Sequence, residues 1–270
     1  MLIDTHCHIH DSEFTARFDK TPEQMLEDAR GAGVKKVICV GTSLKSSREA
    51  IAFAEKHSNV YASIALHPHE AERLSEQEFI ADMEELATLT SDKLVAIGEC
   101  GLDYYYHDDE EIRTRQEHLL RQHLQLAKDR HLPMIFHVRN AKDTDGSTNT
   151  AFTDFAALYD FYKLPGVVHS FSATKHELDL CMDRDLLIGL NGIMTFTKDE
   201  RQLQVARNTP IENIVIETDA PYLTPIPMRG TINEPKHVTY ITQFLSELRD
   251  ESYALVTKQT TQNAKTLFNL

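Results

Sequence analysis

The sequence predicts an α/β fold, a (β/α)8 or TIM barrel forming a single domain over residues 1–270, with extra helices at its C-terminal end. Three observations carry this expectation. Eight short, apolar, β-rich runs recur along the chain, helix-patterned stretches separate them, and 270 residues is a length at which eight such units close into one barrel. Apolar runs without polar alternation suit parallel strands buried on both faces, and the intervening helices supply the crossovers that parallel strands require.

The expected strands are, in order, Leu2–Thr5, Lys36–Val40, Val60–Ala65, Leu94–Ile97, Met134–Phe136, Val167–Val168, Leu186–Leu190 and Ile214–Ile216. Helix starts are marked by Thr21-Pro22-Glu23-Gln24 and Ser75-Glu76-Gln77-Glu78, each with Ser or Thr three residues before Gln or Glu, the pattern of a reciprocal cap. Asp108, Asp109, Glu110 and Glu111 read as a first helical turn favoured by the helix dipole. The longest polar stretch, Arg139 to Thr150 with Asp145-Gly146-Ser147, reads as the loop after the fifth strand rather than a domain boundary. Two final helices, about residues 236–249 and 251–268, follow the eighth strand and should cover the outside or one end of the barrel.

Composition limits the function classes. With 28 basic and 42 acidic residues the formal charge is −14, which excludes an extended basic coat for nucleic acid; a phosphate-bearing substrate would need local cations or metal ions. A hydrophobic fraction of 41% excludes general disorder. The opening residues lack a basic then apolar leader and no apolar run is long enough for a membrane span, so a soluble cytoplasmic protein is expected. Cys7, Cys39, Cys100 and Cys181 are scattered in apolar surroundings without a CxxC pair, which suits reduced, structural thiols. The sequence leaves the oligomeric state open; a monomer is compatible with it.

The chemistry gathers at strand ends. In Asp4-Thr5-His6-Cys7-His8 the alternation of a strand puts His6 and His8 on one face. Glu99 follows the fourth strand, His137 and His169 close the fifth and sixth, and Asp219 closes the eighth. In a barrel those C-terminal ends converge on one rim, so residues scattered over the chain become neighbours. Any one of them could be an ordinary polar residue at a strand end; four imidazoles and two carboxylates together point to metal. The set exceeds what one four-coordinate ion needs, which favours two divalent ions with a carboxylate between them. Imidazole-rich ligation suits Zn, Mn, Ni or Fe, whereas Mg prefers oxygen.

At these residues the sequence resembles the TatD family of metal-dependent deoxyribonucleases, within the amidohydrolase-type barrels. The likeness runs nearly end to end and rests on Asp4-Thr5-His6-Cys7-His8, Leu66-His67-Pro68-His69, Ile97-Gly98-Glu99-Cys100-Gly101-Leu102-Asp103-Tyr104, His137 with Arg139, His169-Ser170-Phe171, Glu217-Thr218-Asp219-Ala220-Pro221-Tyr222, Asn233-Glu234-Pro235 and Asn263-Ala264-Lys265-Thr266-Leu267-Phe268. The resemblance implies that His6 and His8 hold one ion, His137 and His169 the other, and that Glu99 bridges them. Asp219 would be a ligand and the proton acceptor for the attacking water, His67 would lie near the substrate phosphate, and Mg would serve as an activating ion. Two places depart from the usual family text: Ser170 stands where Cys is common, and Arg229-Gly230-Thr231-Ile232-Asn233 lacks a second basic residue, which bears on phosphate and strand contacts.

Other residues carry lesser expectations. Arg139 and Arg229 would clamp phosphates, while Lys175 reads as solvated charge. Within Tyr104-Tyr105-Tyr106 an aromatic ring, Tyr104 in the first instance, would stack on a base, at least one other packing beneath the loop. Glu217 shares a strand face with Asp219 and reads equally as a partner of the metal ligands or as a buried structural carboxylate. The resulting expectation is hydrolysis of DNA phosphodiester bonds by a water activated at a two-metal site holding Mg, Mn, Zn or Ni, with weak, metal-dependent hold on DNA. An amidohydrolase-type enzyme acting on a small amide, ester or phosphoester is the alternative, since one barrel hosts many chemistries, and a non-catalytic metal-binding protein a further one.

Overall fold

The computed structural model describes residues 1–15, 19–106, 109–142 and 150–270; Asp108 and Asp145-Gly146-Ser147 lie outside them. Eight strands form one sheet in sequential order: β1 Leu2–Cys7, β2 Val34–Val40, β3 Val60–Ile64, β4 Leu94–Asp103, β5 Met134–Arg139, β6 Gly166–Val168, β7 Leu187–Leu190 and β8 Ile214–Ile216. Every neighbouring pair from β1 to β8 is parallel. The sheet curls so that β8 meets β1: Thr5 Oγ1 donates to the Ile216 carbonyl at 3.2 Å, and just beyond the strand ends Asp219 N donates to His6 O at 2.8 Å and His8 N to Ala220 O at 2.7 Å. This near-closure makes the arrangement a TIM barrel.

The helices are α1 Ser12–Thr15, α2 Pro22–Gly31, α3 Leu44–Lys56, α4 Glu70–Arg73, α5 Glu76–Leu86, α6 Glu110–Arg130, α7 Ala151–Tyr159, α8 Lys175–Met182, α9 Ile193–Phe196, α10 Glu200–Asn208, α11 Val238–Arg249 and α12 Tyr253–Phe268. Both expected reciprocal caps form, Thr21 with Gln24 on α2 and Ser75 with Glu78 on α5, satisfying backbone donors that a helix start leaves open. Asp109 caps α6, its carboxylate accepting from Glu111 N at 2.8 Å, and Glu110 and Glu111 occupy the first turn.

Two apolar layers hold the barrel. A larger cluster joins one set of strand faces, including Val37, Cys39, Phe136, Val168 and Ile188, to helix residues such as Phe53, Leu119, Phe155 and Leu245. A smaller one gathers Ile38, Val40, Ile135, Val167 and Val215 with Ala264 and Phe268 of α12. On that helix Thr261 Oγ1 donates to Met1 O and Asn263 Nδ2 to Ile211 O and Ile214 O, so α12 covers the ends where β1 and β8 begin. The opposite rim, where strands end, is left for chemistry. All four cysteines are buried and unbridged.

Three strands run further than expected: β1 by two residues, to Cys7, and β4 and β5 by more. β4 continues to Asp103 and β5 to Arg139, pairing Gly101 with His137, Leu102 with Val138 and Asp103 with Arg139. Glycine permits the extension: at Gly101 (φ +155°) a Cβ would collide with the His137 carbonyl. Glu99 therefore lies within β4 rather than just after it, and His137 within β5 rather than at its end.

Candidate metal centre at the barrel rim

His6, at the end of β1, and His8, two residues on, present Nε2 to Nε2 at 3.1 Å. Glu99 on β4 lies between two groups of histidines, and its two oxygens face different ways. Oε2 is 3.2 Å from His6 Nε2 and 3.9 Å from His8 Nε2. Oε1 is 2.6 Å from His137 Nδ1, 2.9 Å from His169 Nε2 and 3.5 Å from His67 Nε2. Asp219 Oδ1 completes the first group, 3.4 Å from His8 Nε2 and 3.7 Å from His6 Nε2. Asp219 holds a left-handed backbone (φ 57°), as does Ser170 (φ 49°) beside His169, conformations in which a turn after a strand redirects the chain across the rim.

The donor chemistry fits a cation. The Val40 carbonyl can only accept, so His8 Nδ1, 2.8 Å away, must donate to it. In a neutral imidazole that leaves the Nε2 lone pair aimed at His6 Nε2 and at carboxylate oxygens. His169 repeats the arrangement: Nδ1 donates to Glu217 Oε1 at 3.1 Å, and Nε2 faces Glu99 Oε1. Acceptors face acceptors, an arrangement that either a proton or a metal ion must bridge. Among the described residues three overlapping donor groups result, His6–His8–Glu99, His6–His169–Glu217 and His67–Glu99–His137.

The electrostatics express the same demand. Burial pushes the Glu99 carboxyl up, but His169 and His6, with hydrogen bonds from His137 and His169, override it and hold it well below the usual carboxylate range. Burial lowers His137, yet hydrogen bonds to Asp103 and Glu99 raise it to about 9; His169 is lifted well above its ordinary value by Glu99 and Glu217 against the same burial. His6 goes down, from burial and the neighbouring His169 ring stacked at 3.8 Å. Asp219, opposed by burial, is held low by His8 and the nearby imidazoles.

A cavity of about 590 Å³ opens above this cluster, lined among others by His8, Phe14, His67, His69, Arg73, Glu99, Asp103, Tyr106, His137, Arg139, His169, Ser170, Asp219 and Tyr222. His67 lies against both Glu99 and the His137 ring, burial dropping its imidazole to about 4. Arg139 reaches the cavity with its guanidinium stacked 3.6 Å from the Tyr105 centroid. Two expected contacts fall elsewhere. Tyr104 is buried, its hydroxyl donating to Asp154 at 3.0 Å, because strand alternation turns it away from the face that carries Asp103; Tyr106 takes the place at the cavity. Arg229 is exposed outside the cavity, donating to the Thr224 carbonyl at 3.0 Å and covering Phe196. Lys175 is solvated and paired with Asp179, as read from the sequence.

Further side chains complete the architecture: Glu217, for which the sequence left open a partner of the metal ligands or a structural carboxylate, and Asp103 and Asp4, to which it assigned no role. Asp103 Oδ2 sits 3.0 Å from His137 Nε2 and 3.1 Å from His69 Nε2, while its Oδ1 accepts from Tyr105 N. Glu217 Oε1 takes His169 Nδ1 and Ser170 N (2.6 Å), and a Cβ at Gly189 on β7 would collide with its carboxylate. Asp4 accepts from Thr218 N and Thr218 Oγ1, at 2.9 and 2.6 Å, and from His6 N, riveting β1 to the turn that carries Asp219. Asp103 was legible in principle, since Glu99, Gly101 and Asp103 share a face once the strand continues past Ile97.

The family of TatD related DNases matches residues 3–269 of the chain. The chain belongs to the TatD family. It is 31% identical, over the whole of both chains, to the uncharacterized metal-dependent hydrolase YabD of Bacillus subtilis. With the 3′-5′ ssDNA/RNA exonuclease TatD of Cronobacter sakazakii it shares 33% identity over 94% of each chain. The crystal structure of YJJV, a TatD homologue from Escherichia coli, superposes with a TM-score of 0.85 at 29% identity, covering 100% of this chain and 98% of that one. Like its TatD relatives, the protein is a metal-dependent hydrolase. Among the described residues no helix is long and apolar enough to cross a membrane.

Proposed function

We propose that this TatD protein hydrolyses phosphodiester bonds of DNA at a site for two divalent ions. The observation that carries the reading is the two-sided Glu99 carboxylate, with Oε2 turned to His6 and His8 and Oε1 to His137 and His169. His6, His8 and Asp219 would hold one ion, His137 and His169 the other, and Glu99 would bridge. When bound, such ions supply Lewis acidity to the phosphoryl oxygens and the attacking water, and so furnish the positive charge that a chain of net charge −14 lacks. Asp219, held ionised beside His8, accepts the proton of the attacking water. Glu217 and Asp103 fix the rings of His169 and His137, and His67 and Arg139 face the phosphate. The Cronobacter relative, an exonuclease on ssDNA and RNA by name, supports a nucleic-acid substrate.

The net charge favours one competing reading, a small amide, ester or phosphoester hydrolysed by the same ions. The test incubates metal-free protein with single- and double-stranded DNA and with bis(p-nitrophenyl) phosphate, adding Mg, Mn, Zn or Ni in turn, with metal content measured by elemental analysis. DNA cleavage that requires metal, two ions per chain, and its loss in Glu99→Ala and Asp219→Asn are expected. Full activity in both variants, or turnover of the small ester with none of DNA under any metal, sinks the nuclease reading.

A further inference from the structure

We infer that the Ser170 hydroxyl is a fixed hydrogen-bond donor to a non-bridging oxygen of the scissile phosphate, a role that rests on the phosphodiester reading above. Ser170 lies immediately after His169, lines the same cavity as Glu99 and Asp219, and is only partly buried. Three contacts hold it there. Its amide donates to Glu217 Oε1 at 2.6 Å, the next amide, that of Phe171, donates to the Gly189 carbonyl at 2.9 Å, and its Oγ meets Asn191 Nδ2 at 2.8 Å. The left-handed backbone of Ser170 (φ 49°) is thus tied to the ends of β7 and β8.

The direction of the last bond decides the chemistry. Asn191 is buried, and its Oδ1 accepts from Ile193 N at 3.1 Å. A backbone N–H can only donate, so the amide cannot be turned round and its NH2 is the end that meets Ser170. An NH2 group in turn only donates. Ser170 Oγ therefore accepts from Asn191 and places its own hydrogen elsewhere. Among the described residues no acceptor takes that hydrogen, and the open side of Ser170 is the cavity. A donor held in this way suits an anionic oxygen. Its bond to a charged acceptor is stronger than one between neutral groups, and nothing need reorganise as charge shifts during the reaction.

The experiment compares the metal-loaded wild type with Ser170→Ala, Ser170→Cys, Asn191→Asp and the double variant Ser170→Ala/Asn191→Asp, with metal content and melting temperature measured for each. The readouts are kcat/KM for an oligonucleotide and for bis(p-nitrophenyl) phosphate, and the inhibition constant of inorganic phosphate. Ser170→Ala is expected to lower kcat/KM on both substrates, and to weaken inhibition by phosphate, about ten-fold at unchanged metal content. Ser170→Cys, whose thiol is a weak donor, should fall between it and the wild type. Asn191→Asp keeps an acceptor for Ile193 N but turns a carboxylate oxygen to Ser170 Oγ, where it captures the hydroxyl hydrogen. It should therefore lose about as much as Ser170→Ala, and the double variant no more than either. Wild-type kinetics in Ser170→Ala, loss of metal from it, or a double variant in which the two losses multiply overturns the inference. A wild type that turns over neither phosphodiester removes the reading above and this inference with it. Turnover of the small ester alone, with the same dependence on Ser170, removes the nuclease reading and keeps the hydroxyl in its role; phosphodiester turnover indifferent to Ser170→Ala removes the inference alone.

Discussion

Asp103 shows how one buried carboxylate shapes the site without facing Glu99 itself. Gln116 brackets its backbone, Oε1 accepting from Asp103 N at 2.8 Å and Nε2 donating to Asp103 O at 3.1 Å, so the carboxylate is fixed before it meets His137 and His69. A partner of this kind orients a ligating ring and raises its basicity. Asp103→Asn should therefore weaken metal binding by about 10- to 100-fold, read by competition with a metallochromic chelator; unchanged affinity would show that His137 needs no such support. Asp4 supplies the other residue-level lever. Burial pushes its carboxyl up to about 8, against the hydrogen bonds from Thr218, so it is largely protonated at neutral pH, and Asn can imitate that form. Asp4→Asn should melt close to wild type, while Asp4→Ala strands the Thr218 amide and loses about 1–3 kcal/mol in chemical denaturation.

At the scale of elements, α6 is tied to the turn after β3 through one imidazole. His123 is fully buried; its Nδ1 donates to the Leu119 carbonyl at 2.8 Å, and its Nε2 accepts from Leu66 N at 3.0 Å. The bond from Leu66 N requires the neutral ring, whose Nε2 alone can accept, and burial lowers its pKa from 6.5 to about 4. A depressed histidine contributes stability that is present above its unfolded value and lost as acid protonates the unfolded chain first. The loss should therefore run from about pH 6.5 down to about 4 and amount to roughly 3 kcal/mol at most. His123→Gln can keep both hydrogen bonds without titrating. Its stability against pH should fall less steeply over that window than that of the wild type; parallel profiles would assign the acid sensitivity elsewhere. The element-level surprise is the length of β4 and β5. Helix caps and apolar runs were readable because they are local, whereas the extension depends on Gly101 lying against His137, a contact between strands that no single segment encodes.

For the whole molecule, charge and metal act together. The chain carries −14, while the cavity gathers Arg73 and Arg139 beside the candidate metal ligands, with Lys142 close by. Three cations imply few released counterions, so binding of a single-stranded oligonucleotide at fixed metal should show a slope of log K against log salt of about −2. A slope several times steeper would require a basic surface that the cavity does not present. Because the candidate ligands come from β1, β4 and β5 and from the turns after β1, β6 and β8, an ion bound there would tie distant parts of the barrel together. Metal at one hundred times its Kd should add about 2.7 kcal/mol of stability, visible as a rise in melting temperature that a chelator abolishes; no shift would mean that the described geometry does not bind the ion tested.

The sequence by itself determined the architecture and the candidate ligands. Both reside in local patterns: eight apolar runs with helices between them, and His6, His8, Glu99, His137, His169 and Asp219 each at or near a strand end. A barrel necessarily brings those ends together, and the structure gathers the other five around Glu99. Only the tertiary structure decided which way each group points. It turned Tyr104 into the core and Tyr106 to the cavity, left Arg229 on a neighbouring surface, set Asp103 behind His137 and Glu217 behind His169, and divided the two Glu99 oxygens between opposite sets of histidines. The physical reason is that orientation depends on strand register and on the partner each polar atom finds across the barrel, and those partners lie as far as 214 residues away along the chain, as Thr218 does from Asp4.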